Sequence, residues 1–412
     1  MTPPLTPGPT ESWDLVIVGA GPAGASAALA ALHAQPSLKV LLLDRADFPR
    51  DKSCGDGIAP HVFSSLARIG VTGIEQGWTP LTRLELARGE ESVAREMARP
   101  VHVIPREVFD ARLVERAVDR GAVLRRHRVH DVAIGADRVV LDGSIEAPVV
   151  VAADGAHSVL RGVLGLSSGR RALAIRGYGP TPADRRGTQV IRYGDRRQPA
   201  YAWSFDRGDG LSNIGYGELL PAPGEGEPPS RALLLEQLEE LLPGTVESGE
   251  HWRGHHLPLS GFRWDQPDGR VLLTGDAAGL INPMTGEGIY YAIATGIAAG
   301  RTAARTVASA THDGAAAGAL HRQAVRQLLG RHLKHTWVAS RLAEHAVIVD
   351  GGIRVARRDR RVFDEMVELG LGDGRISGRL VGGLVAGLGR KAAIGVRGRL
   401  GHGDDDREAG RR

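Results

Sequence analysis

The apolar run Leu15-Val16-Ile17-Val18 is followed by a stretch of small residues, Pro22–Ala34, and then by Lys39-Val40-Leu41-Leu42-Leu43. Continuous apolar runs mark strands buried on both faces, and the small-residue stretch between them suits a closely packed helix. The pattern predicts strand 14–18, helix 22–34 and strand 39–43, a βαβ unit. A helix over 107–120 places Val108, Phe109, Leu113, Ala117 and Val118 on one face. Short strands then alternate with polar turns over 122–152, including the hairpin signal Asp142-Gly143. Residues 149–153 read as another buried strand, ending at Asp154-Gly155. The texture changes between about 168 and 262. Strand-like pieces at 172–178, 188–193, 200–206 and 212–219 are separated by Gly and Pro turns, and 231–242 is an amphipathic helix. This segment reads as an antiparallel sheet inserted into an α/β domain. Val271-Leu272-Leu273 resumes the α/β pattern, with helices expected at 288–307, 317–345 and 360–370.

Composition bounds the class. The 412 residues are 42% hydrophobic and 24% charged, ordinary for a globular protein able to bury a sizeable core. One cysteine, Cys54, excludes an internal disulfide framework and makes a cytoplasmic setting the expectation. Residues 1–11 lack the basic start and apolar centre of a signal peptide and read as a disordered tail, as do those from 402. The net charge of +4 is modest, from 52 basic and 48 acidic side chains. Arg-rich patches at 125–130, 353–361 and 390–399 lack interleaved aromatics or a reader motif, so nucleic acid is not an expected partner.

Two glycine-rich segments carry the first chemistry. In Gly19-Ala20-Gly21-Pro22-Ala23-Gly24, Gly19 permits the tight turn, Gly21 lets a pyrophosphate approach, and Gly24 lets helix and strand pack closely. The helix start then offers N–H groups and a positive dipole end to phosphates. Asp44 ends the second strand, where an acid accepts ribose hydroxyls, with Arg45 beside it. Plain turns also use glycine, but strand, turn, helix, strand and acid agree here on a dinucleotide, and Asp44 disfavours a 2′-phosphate. The second segment, Thr274-Gly275-Asp276-Ala277-Ala278-Gly279, follows a strand and leads into Pro283–Ile289, which opens a long helix. Asp276 is placed to bond a ribityl chain. The N–H groups near Gly286, Gly288 and Ile289 are placed to face a flavin pyrimidine, where a helix N-terminus stabilises the charge of reduced flavin. FAD is therefore the expected cofactor. Asp154-Gly155 alone is only a turn.

With these segments in this order the chain resembles the para-hydroxybenzoate hydroxylase-like FAD-dependent oxidoreductases. Within them it is most similar to the geranylgeranyl reductase family. Phe48 through Gly57 is similar to that family's Pro-Arg-x-Lys-x-Cys-Gly stretch, and Tyr201-Ala202-Trp203-Ser204-Phe205 with Gly215-Tyr216-Gly217 resembles its YxWxF…GxG signature. The likeness spans about residues 13–375. It implies a Rossmann-type FAD-binding domain built from 13–80, 97–165 and 265–310. A substrate domain would comprise 81–96 and 166–264, and a C-terminal helical region 311–400. It also implies hydride transfer from reduced FAD to an isolated carbon–carbon double bond of a prenyl chain, with a proton added at the other carbon.

By the same resemblance, Cys54 and Gly55 lie close to the flavin ring, Cys54 being the candidate catalytic residue, and Arg106 binds FAD from the pyrophosphate side. Tyr201, Trp203, Phe205, Gly215 and Gly217 belong to the substrate cavity. Each has a plainer reading. Cys54 suits a small buried site, the alternating aromatics suit ordinary core, and Arg106 suits a helix start at the surface. Arg50 and Lys52 suit either a phosphate or solvent. No second GxGxxG is present, so the electron donor is expected to be NAD(P)H bound transiently, or a protein reductant.

A flavin monooxygenase or halogenase would share the fold, but the WxWxIP segment of halogenases is absent. A flavin-binding protein without catalysis is the reading from a different class, and the intact motifs weigh against it. His251, His255, His256, His332 and His335 lack metal-ligand context, so no metal is expected. Residues 376–400 mix apolar side chains with Arg379, Arg390, Lys391, Arg397 and Arg399. They read as a helical cap over a substrate tunnel or, as a second reading, as a peripheral membrane contact.

Overall fold

A computed structural model describes residues 10–222, 224–309 and 314–385. Its centre is a five-stranded parallel sheet in the order Val271–Leu273, Val150–Ala152, Leu15–Val18, Val40–Asp44, Val123–Arg126. The first two apolar runs expected as strands are completely buried. The helix Pro22–Ala34 covers one face and is buried almost along its whole length. That burial requires small residues, because the helix Ile289–Ala308 lies directly against it. A Cβ on Gly296 would fall 2.2 Å from the Ala23 carbonyl, and one on Gly300 would fall 2.1 Å from that of Ala27. Burial on all sides explains why the helix carries no polar stripe.

The helix expected over 107–120 runs Arg106–Asp119. Its buried face is Phe109, Leu113, Val114 and Ala117, whereas Val118, expected on that face, is 43% exposed at the last turn. A small sheet joins Val132–Ile134, Val139–Leu141 and Ile145–Ala147. Glu11–Ser12 adds a parallel edge strand to it, although the disordered tail was expected to extend through Glu11. Backbone pairing to Ile145 and Glu146, with the Arg125–Glu11 ion pair, fixes them.

The second sheet has eight strands, in the order Glu250–Pro258, Arg171–Pro180, Leu211–Leu219, Tyr201–Asp206, Thr188–Tyr193, Pro80–Arg88, Glu91–Val103, Gly57–Ile58. Its pairings are antiparallel except that of Thr188–Tyr193 with Pro80–Arg88. The expected helix 231–242 is found at Arg231–Leu241 and packs on this sheet through Leu234 and Leu238.

The C-terminal region contains helices Ala317–Ala343, Ala346–Arg358 and Arg360–Leu371, and residues 378–385 are also helical. Ala346–Arg358 and Arg360–Leu371 pack on the Pro80–Val103 hairpin through Ile353, Ala356 and Phe363. Among the described residues, no helix is long and apolar enough to cross a membrane.

Candidate functional site

A cavity of about 1010 Å³ lies between the two sheets and under the C-terminal helices. One end is bounded by Gly19, Gly21, Pro22, Ala23, Asp44 and Arg45, and the middle by Cys54, Gly55, Arg106, Asp154, Gly155 and Asp276. Gly286, Gly288 and Ile289 adjoin the middle, facing Tyr201, Trp203, Phe205 and Gly217. The far end is apolar, with Val349, Ile353, Leu380 and Val385 among its walls. Three expected site residues do not line it. Gly24 and Gly275 serve close packing instead, since a Cβ on Gly24 would fall 1.8 Å from the Gly19 carbonyl and one on Gly275 would press on Ala292 and Ala23. Gly215 seats the Trp203 indole, which a Cβ there would meet at 2.3 Å.

The first turn is constrained from several directions. Gly19 has φ +101° and abuts the Ala153 carbonyl, a conformation and an approach that only glycine allows. Asp44 is buried; its carboxylate accepts from Ala20 N–H at 2.8 Å and Ala46 N–H at 2.9 Å. The Pro22–Ala34 helix has Gly21 at its N-cap and no side-chain cap. Its first N–H groups therefore face the cavity unclaimed by a capping side chain.

The second N-terminus is only partly open. Ile289–Ala308 starts after Gly288, which has no side chain to cap it, but the Glu287 carboxyl accepts from Tyr290 N–H at 2.8 Å. The preceding loop is strapped down by Asn282, whose amide donates to the Leu369 and Gly370 carbonyls, and by Thr285 Oγ1, which donates to Gly370 O at 2.7 Å. Gly286 has φ +69° and lies under Tyr201, whose hydroxyl donates to the Thr285 carbonyl. Asp154 accepts from Ser158 Oγ and Val159 N–H and so caps the helix Val159–Val163. Gly155 has φ +82°, with open space where a Cβ would stand. Arg161, which the sequence did not single out, donates to the carbonyls of Ala156, Asp276 and Ala277 and joins the two Asp-containing turns.

Two glycine-started helix N-termini, a fixed carboxylate at a strand end and an open glycine turn all face one cavity. This donor and acceptor set fits a dinucleotide with a ribose at one end and an anionic ring at the other.

The Cys-Gly segment lies beside this set. Burial pushes the Cys54 thiol above its ordinary pKa, and the neighbouring Arg106 guanidinium offsets this only in part. Cys54 is therefore a thiol at neutral pH. Arg106 is buried rather than at the surface, and it forms a bidentate pair with Asp110 at 2.6 and 2.7 Å. Arg50 reaches the same Asp110 at 3.2 Å, and Lys52 reaches Asp276 at 3.5 Å. A four-residue spacing on a helix was the available signal for Asp110.

Asp56 is fully buried with φ +57°. Its Oδ2 accepts from Tyr178 OH at 2.5 Å and Asn213 Nδ2 at 2.8 Å. Asn213 also donates to the Cys54 carbonyl and accepts from Trp203 Nε1, so a single network holds the Cys54 loop and the aromatic strand together. Desolvation raises the Asp56 pKa to about 6 against the opposing effect of these donors and of Arg176 and Arg106.

The aromatic row is continuous, with ring centroids 5.8 Å apart for Tyr193–Tyr201, 6.1 Å for Tyr201–Trp203 and 6.4 Å for Trp203–Phe205. In the adjacent strand Gly217 pairs with Tyr201 and Gly215 with Trp203, which accounts for the two glycines of the signature.

Comparison with known proteins agrees with this geometry. Residues 12–196 match the FAD binding domain family. The menaquinone reductase of Mycolicibacterium smegmatis is 33% identical over 315 residues, 69% of this chain and 74% of that one. Digeranylgeranylglycerophospholipid reductase 1 of Methanopyrus kandleri is 30% identical over 325 residues, 72% and 81% of the two chains. The chain belongs to the geranylgeranyl reductase family of FAD-dependent oxidoreductases. A geranylgeranyl bacteriochlorophyll reductase-like protein from Thermoplasma acidophilum shares the fold of this reductase-family chain. It has a TM-score of 0.75 and 18% identity, over 93% of this chain and 98% of that one.

Among the histidines singled out in the sequence, His332 and His335 take structural places in this family member, whereas His255 lines the cavity. His332 bonds the Tyr291 hydroxyl at 2.5 Å and the Gly374 carbonyl at 2.6 Å, and His335 accepts from Ile376 N–H. Among the described residues, His61, Glu368 and Asp373 form a group with the ligand types and spacing for a metal ion. Arg99 already donates to Glu368 at 2.7 and 2.8 Å, so a cation occupies that carboxylate. Arg379 lies among the described residues, whereas Arg390, Lys391, Arg397 and Arg399 lie outside them.

Proposed function

We propose that this protein saturates carbon–carbon double bonds of an isoprenoid chain. The observation that carries the reading is one cavity running from the dinucleotide-type turns, past Cys54 and the aromatic row, into an apolar chamber under the C-terminal helices. FAD supplies, in its reduced state, the hydride that an alkene carbon accepts. Gly19, Gly21, Pro22, Ala23, Asp44 and Arg45 would hold its adenosine and pyrophosphate, with Arg106 alongside. Asp154, Gly155 and Asp276 would hold its ribityl side, and Gly286–Ile289 its pyrimidine.

The remaining work falls to the protein. An isolated alkene is a poor hydride acceptor, so it must be held at close range in a dry slot. Tyr201, Trp203 and Phe205 present a flat apolar wall opposite the Gly286–Ile289 turn. Val349, Ile353, Leu380 and Val385 would take the rest of the chain, which supports reading residues 376–385 as a cap over the tunnel. Cys54, neutral at physiological pH, adds a small polarisable surface beside the reacting bond. The likeness to a menaquinone reductase makes a prenylated quinone the first substrate class to test, followed by prenyl phosphates and ether lipids.

The test is anaerobic. FAD-loaded protein is reduced with dithionite, then mixed with prenylated quinone, prenyl diphosphate or digeranylgeranyl lipid. Reoxidation of the flavin without oxygen, with pairs of hydrogens located on the prenyl chain after any quinol has been air-oxidised back to quinone, supports the reading; hydrogens on the quinone ring alone overturn it. Reoxidation that requires oxygen and yields a hydroxylated product overturns it in favour of a monooxygenase.

A further inference from the structure

Saturating an alkene requires a proton as well as a hydride, and Cys54 is only one titratable group on the cavity wall. Glu287 is another, and no motif singled it out. It lines the cavity between Gly286, which lies under Tyr201, and Gly288, whose Cβ position is 3.7 Å from Asp276 Oδ1. It therefore stands where the aromatic half of the cavity meets the cofactor half.

The side chain is held in place. Glu287 Oε1 accepts from Tyr290 N–H at 2.8 Å, the Glu287 carbonyl accepts from Asn282 N–H at 2.8 Å, and its own N–H donates to Thr285 Oγ1. Charged and titratable groups face it from separate elements: Arg106 from the Arg106–Asp119 helix, Tyr201 from the aromatic strand and Tyr291 from the Ile289–Ala308 helix that follows it. Among the described residues no cation forms an ion pair with it; Arg106 is committed to Asp110. Burial outweighs the helix N–H donors and Arg106, and the pKa of the carboxyl rises to about 7. The acid form is thus well populated near neutrality, which suits a general acid.

We propose that Glu287 is the acid that protonates the second alkene carbon. The inference rests on the reductase reading above. The π bond breaks, and one carbon takes the hydride, which carries the electron pair delivered by reduced flavin. The other carbon takes the proton of the Glu287 carboxyl. Glu287 is left as a carboxylate and regains a proton from water, and the next hydride comes from the external two-electron donor that re-reduces the flavin.

The experiment compares wild type, Glu287→Gln and Glu287→Asp. Each is checked for FAD affinity by fluorescence titration, then reduced with dithionite and mixed anaerobically with the substrate that reoxidises wild type. E287Q is expected to bind FAD normally and to reoxidise about 100-fold more slowly, with E287D partly restored. The wild-type rate should fall as pH rises through about 7, a limb that E287Q lacks. Independently of turnover, infrared difference spectra of the FAD-free proteins should show a carboxyl band titrating near pH 7 in wild type and absent from E287Q. An E287Q rate within threefold of a competent wild type, or no such band, overturns the inference alone. A wild type that no prenylated substrate reoxidises without oxygen overturns the reductase reading and this inference together.

Discussion

Replacing Asp56 by Asn turns the buried network behind Cys54 into a measurable pH dependence. Asp56 is fully buried, and its pKa is raised from the ordinary 3.8 to about 6. The folded protein therefore holds this proton more tightly than the unfolded chain does. The group's stabilising contribution is complete below the unfolded value and is lost as pH rises through the folded one. A shift of about 2.2 units, from 3.8 to about 6, corresponds to about 3 kcal/mol in full. Between about pH 4.5 and about pH 7.5 the linkage relation gives a loss of about 2 kcal/mol.

Asn is neutral throughout, tolerates the left-handed backbone at this position, and keeps an oxygen for Tyr178 and Asn213. Any cost of placing its amide group where Asp56 Oδ1 has no partner is independent of pH. The stability of D56N relative to wild type should therefore improve by about 2 kcal/mol over that range. Urea unfolding of the FAD-saturated proteins, followed by tryptophan fluorescence, reads the difference once the FAD dissociation constants are used to subtract cofactor linkage. Parallel wild-type and mutant profiles, differing by a constant, would refute the buried-charge account.

Other expectations follow from the same geometry. Gly300→Ala places a Cβ 2.1 Å from the Ala27 carbonyl, forces the two central helices apart, and should cost about 1–3 kcal/mol in unfolding experiments. An unchanged melting temperature would mean that the helix contact is looser than described. Asp110→Asn removes the charge that balances buried Arg106 and should cost about 3–5 kcal/mol in chemical denaturation of the FAD-free protein; a loss near zero would refute the need for Asp110 as the counter-charge. Cys54→Ala should leave FAD affinity unchanged and slow anaerobic reoxidation by substrate, and an equal rate would reject a chemical role for the thiol.

Much of this molecule is local enough to read in one dimension. Leu15–Val18 and Val40–Asp44 are continuous apolar runs because both sheet faces are covered, and Asp44 stands where the second strand leaves the sheet. The aromatic alternation at Tyr201, Trp203 and Phe205 places three rings on one face, as the period of a strand requires. The groups that escaped notice act across long separations. Asp56 meets Asn213 and Tyr178 on strands more than a hundred residues away, and Arg161 reaches the carbonyls of Asp276 and Ala277. Neither partnership leaves a trace in spacing. The helix Ala346–Arg358 escaped for a different reason. Gly351 and Gly352 lower its intrinsic propensity, but in the fold they sit against Leu384 and Met366, and tertiary packing outweighs the backbone cost.

The glycine contacts between the two central helices also fix a length. Gly296 meets Ala23, and Gly300 meets Ala27, so the helices run in the same direction and in register. Gly296 is seven residues beyond Ile289, whereas Ala23 is next to the start of its own helix. At 1.5 Å per residue, the six-residue offset makes the later helix project about 9 Å past the earlier one, with both positive ends pointing the same way. The pair is a ruler with two marks, one for a pyrophosphate and one for an anionic ring. On the proposed binding mode a mononucleotide touches one mark, and only a flavin dinucleotide reaches both. Cofactor choice then depends on two glycines that never touch the cofactor.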